Sequence, residues 1–183
     1  MQVVSYGFSR PKDLFEKLKR DAAKLSAQPS PDDVFNFLVT AASLNEWVKK
    51  FYKDSPLVER IVAAVKARKW ETFPLARTPW LADGSCVPNG HLDERHHIIN
   101  ALRICWETAG ASKHFYWQGH VRDVQPEPIV RGWYQYFFTS VEPDLYVDYD
   151  GEAYGLSQVR GIVLQFYEQL LSILEEENGC ADA

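Results

Sequence analysis

Apolar side chains recur every three or four residues along most of the chain, and this spacing is typical of helices. Each such segment has one apolar face that must pack against a neighbour. We therefore expect a mainly α fold, an antiparallel bundle of about five helices in a single domain spanning residues 1–183. The predicted helices cover residues 11–27, 30–52, 56–70, 92–109 and 157–177.

Two of the predicted helices begin with a serine followed by a proline. Ser30-Pro31 and Ser55-Pro56 occupy these positions. Serine can cap the free amide groups of a first turn, and proline loses no hydrogen bond there. The helix over 30–52 is apolar around much of its girth, so we expect it at the centre of the bundle.

The pattern changes over residues 113–154, which are rich in aromatic and β-branched side chains. These residues favour strands, and Asp150-Gly151 is a strong signal for a tight hairpin turn. We expect a small antiparallel sheet inserted before the last helix. Its predicted strands include Lys113–Val124, Ile129–Thr139 and Leu145–Tyr149. The closing helix should then bury Val163, Phe166 and Leu170.

Composition and charge narrow the classes of partner and location. The 183 residues carry a formal net charge of −5, which argues against nucleic acid as a partner, although a local basic patch would leave it open. The apolar runs are shorter than the ~20 residues of a membrane span, and the first residues lack a secretory pattern. Three widely spaced cysteines fit a reducing compartment. We expect a cytoplasmic protein; its oligomeric state stays open.

Four residues of types that bind zinc lie within a short stretch: Cys86, His91, His96 and His97. Their spacing matches no zinc finger. His96 and His97 are adjacent, so on a helix they point about 100° apart, and we expect that they cannot easily share an ion. We therefore predict no metal and no cofactor.

A second group of polar residues could form a cationic pocket for phosphate. Lys113-His114 follows the fourth predicted helix, and Arg103 and Glu107 lie one turn apart on it. His114 could act as an acid or base, with Lys113 and Arg103 stabilising an anion. The alternative is that Arg103 and Glu107 form an ion pair and that Lys113-His114 only begins a strand.

Two further surfaces could carry function. Aromatic residues occupy both faces of the strand predicted around residue 135, and one face could contact a partner protein. The candidates on that strand are Trp133, Tyr134, Tyr136 and Phe138. The central helix carries a narrow polar stripe that either bonds a neighbouring helix or lines a cleft ending at Lys113-His114. The cleft candidates are Asn36, Thr40, Ser43, Trp47 and Glu107.

Two stretches together resemble a group of prokaryotic and phage-associated helical proteins, which we associate with the HEPN superfamily. They are Phe35-Asn36-Phe37-Leu38-Val39-Thr40-Ala41-Ala42-Ser43-Leu44-Asn45-Glu46-Trp47-Val48 and Ala109-Gly110-Ala111-Ser112-Lys113-His114-Phe115. Ser43 and Glu46 stand where the group has His and Asp. HEPN ribonucleases pair an Arg and a His at a shorter spacing than the eleven residues from Arg103 to His114.

The resemblance implies a domain that binds another protein in a phage-related, defence or toxin–antitoxin setting. Two alternatives stay open. One is a metal-independent ribonuclease or phosphate-handling enzyme that uses Arg103, Lys113 and His114. The other is a structural or assembly protein without a site.

Overall fold

Five α-helices, one short 3₁₀ helix and three strands make up the described part of the chain. The structure, a computed structural model, describes residues 7–25, 29–75, 94–114, 121–125 and 146–179. The helices are α1 (Pro11–Lys24), α2 (Pro31–Phe51), α3 (Pro56–Ala67), α4 (Glu94–His114) and α5 (Leu156–Gly179), with the 3₁₀ helix at Trp70–Thr72. The strands are β1 (Val121–Gln125), β2 (Tyr146–Tyr149) and β3 (Glu152–Gly155).

Four of the helices close into a ring around one apolar core. Helix α1 packs on α2, α2 on α4, α4 on α5 and α5 on α1, while α3 packs outside against α2 and α4. Val163, Phe166 and Leu170 of α5 are 2% exposed or less, so the predicted burial of the closing helix is confirmed. Within the described ranges, none of the helices has the length and apolar content that crossing a bilayer requires.

The predicted helix starts are confirmed at α2 and α3. The Ser30 hydroxyl accepts the Asp33 amide at 3.2 Å, and the Ser55 hydroxyl accepts the Val58 amide at 3.5 Å. These bonds satisfy amide groups that the first turn leaves without an intrahelical acceptor. Both helices carry proline at their first position, where its missing amide hydrogen costs nothing.

Two predicted helix ends were too late. Helix α1 stops at Lys24, whereas we expected helix up to residue 27. Helix α3 stops at Ala67, and Trp70 begins the 3₁₀ helix. The cause at α3 is Arg68, whose backbone is left-handed with φ 55° and ψ 34°. That conformation turns the chain out of the helix and lets the Lys69 amide donate back to the Ala64 carbonyl at 3.0 Å.

The predicted end of the fourth helix was too early. Helix α4 runs through Gly110 and ends at His114, so Lys113 and His114 are helical and do not begin a strand. Gly110 is not among the described residues with positive φ, so it does not act as a left-handed cap. A helical glycine costs only about 1 kcal/mol relative to alanine, and Ala109 and Ala111 on either side are strong helix formers.

The strands form an antiparallel sheet in the order β1-β2-β3, inserted before α5 as predicted. The predicted turn at Asp150-Gly151 is confirmed, with φ of 58° and 85°, the positive values that a tight hairpin turn requires. Strand β3 passes directly into α5 without a linker residue. The Gln158 side chain accepts the Gly155 amide at 3.0 Å and fixes this junction.

Candidate functional site

A polar stripe along α4 binds the β2–β3 hairpin. His96, Asn100, Arg103 and Glu107 are spaced by four, three and four residues, so they share one helix face. We call their contact with the hairpin the seam, and it has two parts. The histidine cluster is His96, His97, Asn100, Glu152 and Tyr154, and the arginine cluster is Arg68, Arg103, Glu107, Tyr149 and Asp150.

The hairpin register determines which of its side chains meet α4. Val147 pairs with Tyr154 and Tyr149 pairs with Glu152, so these four side chains lie on the same face of the sheet. Tyr149 and Tyr154 are 1% and 0% exposed. The two tyrosines are therefore buried, whereas other members of the seam, such as His96 and Glu152 at 21% and 19% exposed, remain partly open to water.

The Tyr154 hydroxyl is the hub of the histidine cluster. It donates to Glu152 Oε2 at 2.7 Å and accepts from Asn100 Nδ2 at 2.9 Å. It also lies 3.0 Å from His97 Nδ1. His96 Nε2 lies 3.2 Å from Glu152 Oε2 and 3.1 Å from Asn100 Nδ2. The five side chains thus form one connected network between α4 and β3.

The charges of the histidine cluster favour an ionised Glu152. Burial raises the pKa of Glu152, but the hydrogen bond from Tyr154 and the neighbouring His96 and His97 outweigh burial and leave it below its usual value. Burial, reinforced by the hydrogen bond to the Glu152 carboxylate, raises the pKa of Tyr154 far above its usual value. At neutral pH the cluster therefore contains a carboxylate and a neutral phenol.

The two adjacent histidines converge, contrary to our expectation. Their ring centroids are 5.3 Å apart, and one ring nitrogen from each lies within 4.8 Å of the other and of a Glu152 oxygen. The 100° between their positions on the helix does not keep them apart, because each imidazole ring reaches well beyond its Cβ. Glu152 on β3 contacts the His96 ring at 3.2 Å and has an oxygen within 4.8 Å of a His97 nitrogen.

The arginine cluster is an ion-pair network that joins α3, α4 and β2. Arg103 binds the Glu107 carboxylate through Nε and Nη2, and its Nε also donates to the Tyr149 hydroxyl at 2.7 Å. Its Nη1 donates to the Val65 carbonyl at 3.2 Å. Arg68 donates to Asp150 Oδ2 at 3.1 Å and lies over the Tyr149 ring.

The neighbours of Arg103 in the seam stabilise its positive charge. Burial alone would lower the pKa of Arg103, but hydrogen bonds with Glu107 and Tyr149 outweigh burial and raise it. The side chains of Arg103 and Glu107 are only 17% and 15% exposed. The predicted ion pair between them is therefore present, but it belongs to the interior of the seam and not to the surface.

The structure does not bring Arg103 to Lys113 and His114. All three lie on α4, and the eleven residues from Arg103 to His114 correspond to about 16 Å along a helix axis. We had expected the helix to end before Lys113, which would have allowed the chain to fold back. The side chains of Lys113 and His114 lie outside the described part.

The five residues of the predicted cleft occupy different environments. Thr40 is buried and donates to Asp21 Oδ2 at 2.7 Å, so it bonds α1 as a neighbouring helix. Asn36 is exposed, whereas Ser43 and Trp47 are half-buried. Glu107 lies in the arginine cluster. We predicted that the stripe either bonds a neighbouring helix or lines a cleft. Thr40 has the first role, because it bonds α1.

A small cavity of about 10 Å³ lies beside the core cysteine, Cys105. This volume has room for about one water molecule. Cys105 is 2% exposed, and burial raises the pKa of its thiol to about 12. Its sulfur is therefore protonated and unreactive at neutral pH.

Sequence reasoning missed Asn100, Glu152 and Tyr154. The polar spacing along α4 was visible in the sequence and could have indicated a second face with a polar partner. The aromatic candidates Trp133, Tyr134, Tyr136 and Phe138 lie outside the described residues, as do Cys86 and His91.

Comparisons with known protein families, curated proteins and solved structures found no significant match to this chain. Its function must therefore be inferred from its own residues.

Proposed function

We propose that this chain is a HEPN-like helical domain that acts by binding another protein. The observation that carries the proposal is the state of Arg103, whose guanidinium is held inside the seam by Glu107, Tyr149 and the Val65 carbonyl. The resemblance of the two sequence stretches suggests a partner from a phage-related, defence or toxin–antitoxin system.

The alternative, a ribonuclease, needs Arg103 to face a phosphate group. The donors of Arg103 are directed to partners that belong to the fold, and the Glu107 carboxylate beside them would repel a phosphate. Turning the guanidinium outward would also break its bonds to the Tyr149 hydroxyl and the Val65 carbonyl. This arrangement favours binding over phosphate chemistry at the seam.

One end of the bundle offers a contact surface with both apolar and acidic character. Phe51, at the end of α2, is 52% exposed, and its ring packs edge-on against Tyr52. Burial raises the pKa of Tyr52, and the negative charge of Glu175 on α5 raises it further. We call Phe51, Tyr52 and Glu175 the bundle-end surface.

The charge of this surface indicates the chemistry of the partner. Glu175, Glu176 and Glu177 lie near the C-terminal end of α5, where the helix dipole disfavours negative charge, and the last turn has no basic residue. Lys12 pairs with Glu175 at 2.8 Å. A basic segment carrying an apolar side chain would neutralise the remaining carboxylates and cover Phe51.

A photo-crosslinking experiment in the native host tests this proposal. A photoreactive phenylalanine analogue replaces Phe51 in one variant and Phe35 in a matched control. Phe35 lies on the same helix and is 46% exposed, but it stands sixteen residues away, about 24 Å along the axis. We expect a covalent adduct with a protein that has a basic segment from position 51 and not from position 35. Equal adducts from both positions, or none from either, would contradict the proposal.

His114 gives a direct test of the ribonuclease alternative. If the wild-type protein cleaves RNA, and if His114→Ala abolishes cleavage while the thermal melt stays unchanged, the alternative is correct and our proposal is wrong. We expect no cleavage above the background of a mock purification.

A further inference from the structure

We propose that the histidine cluster binds one divalent transition-metal ion of the zinc class through His96, His97 and Glu152. This site is separate from the bundle-end surface, and the inference does not depend on the proposed function. The three residues join α4 to β3, so the ion would link the helical bundle to the hairpin.

The ligand atoms already lie close to the spacing that such an ion requires. One nitrogen of each histidine and one Glu152 oxygen lie within 4.8 Å of one another. Ligands at about 2.1 Å from zinc lie roughly 3.4 Å apart at the corners of a tetrahedron. His96 Nε2 and Glu152 Oε2 are 3.2 Å apart and already meet that spacing. The remaining distances need to shrink by at most about 1.4 Å, which small side-chain rotations can supply.

The donor set selects the class of ion. Two imidazoles and one carboxylate form a common three-ligand set for zinc, in which water takes the fourth position. Imidazole also binds nickel, copper and iron, whereas calcium and magnesium prefer oxygen ligands alone. Glu152 supplies the carboxylate of this set from β3, and His96 and His97 supply the two imidazoles from α4.

Neighbouring side chains already donate hydrogen bonds to the Glu152 carboxylate, as they usually do to the ligands of a bound metal. Tyr154 and Asn100 both donate to Glu152 Oε2, at 2.7 and 3.4 Å, and would hold the carboxylate in place. His97 is 1% exposed at the closed side of the cluster. The side chains of His96 and Glu152 are 21% and 19% exposed, which gives an ion a way in.

Titration with Co²⁺, a spectroscopic substitute for zinc, tests the site in the full chain. The protein is purified without a histidine tag and stripped with a chelator, and the visible absorption of bound Co²⁺ is followed, then displaced with Zn²⁺. We expect one equivalent to bind and Glu152→Gln to weaken binding at least about ten-fold. His96→Gln, a change at a half-exposed position, should have the same effect. Circular dichroism confirms that each variant is folded.

Two control variants distinguish this site from other residues of the chain whose side chains could bind a metal. Asp150→Asn removes a neighbouring hairpin carboxylate and keeps a residue that tolerates positive φ, so binding should be unchanged. A Cys86→Ser/His91→Ala double variant should also bind normally. The proposal is overturned if the wild type binds no stoichiometric ion, if Glu152→Gln and His96→Gln bind as the wild type does, or if the double variant loses binding.

Discussion

The two halves of the seam attach the same hairpin to the same helix by different chemistry. The arginine cluster holds β2 with Arg103, which is charged at every pH that a folded protein meets, and with the carboxylate of Glu107. The histidine cluster holds β3 through imidazole and carboxylate groups, which are side chains that can gain or lose a proton in the range where proteins stay folded. The charge of the arginine cluster is therefore fixed, whereas that of the histidine cluster can respond to its surroundings.

The contrast shows why polar contacts should be judged by their partners and not by their residue types. Arg103 was a candidate for a catalytic site with Lys113 and His114, yet its guanidinium binds Glu107, Tyr149 and the Val65 carbonyl. His96 and His97 looked incompatible, yet they meet at Glu152.

The largest loss of stability should come from a substitution in the apolar core. Phe166 of α5 is 2% exposed and packs against the rings of Phe73 and Tyr167. Phe166→Ala should lower the free energy of unfolding by about 3–5 kcal/mol, from lost burial and the cavity left behind. Urea denaturation measures the change, and a midpoint close to that of the wild type would show that the core assignment is wrong.

Removing the arginine should cost more than any single change in the histidine cluster. Arg103→Met leaves the Glu107 carboxylate and the Tyr149 hydroxyl without their main partner, so we expect a loss of about 2–4 kcal/mol. Arg60→Met, at an exposed position of α3, is the control and should stay within about 0.5 kcal/mol. Equal losses in the two variants would mean that the arginine cluster does not hold the hairpin.

Removing the hub hydroxyl of the histidine cluster should have an intermediate effect. Tyr154→Phe keeps the ring in the core but leaves Glu152, Asn100 and His97 without that hydroxyl, and should cost about 1–3 kcal/mol. Tyr52→Phe, at a half-buried position, is the matched control and should be nearly neutral. A Tyr154→Phe protein as stable as the control would indicate that water replaces the hydroxyl easily.

Acid should weaken the histidine cluster by a smaller amount. Because the pKa of Glu152 is lower folded than unfolded, its carboxylate stabilises the fold above its unfolded pKa, and this contribution is lost as pH falls through the folded pKa. Glu152→Gln should therefore flatten the loss of stability below about pH 4.3, by about 1 kcal/mol or less. Thermal melts across that range measure it, with the exposed Glu59→Gln as control. Identical acid profiles for Glu152→Gln and the wild type would contradict it.

The helices could be predicted because their signals are local. The serine–proline starts of α2 and α3 and the apolar spacing of α5 depend on neighbours within a few residues. The errors arose where two local preferences competed. Gly110 could cap a helix or continue it, and its alanine neighbours decided for continuation.

The site could be predicted only in part, because its contacts join distant residues. Arg103 and Glu107 are one turn apart, so their pairing was accessible from the sequence. His96 and Glu152 are 56 residues apart, and no local spacing connects them. Their meeting depends on how the hairpin docks on α4, which is decided by the packing of Tyr149 and Tyr154 into the core.

The direct passage from β3 into α5 gives the molecule a mechanical property. Without a linker residue, and with the Gln158 side chain bonded across the junction, the hairpin cannot swing independently of the helix. A force applied at the Asp150-Gly151 turn would therefore be transmitted directly to α5. Helix α5 therefore connects the hairpin at its first residue with α1 near its last turn, where Glu175 pairs with Lys12.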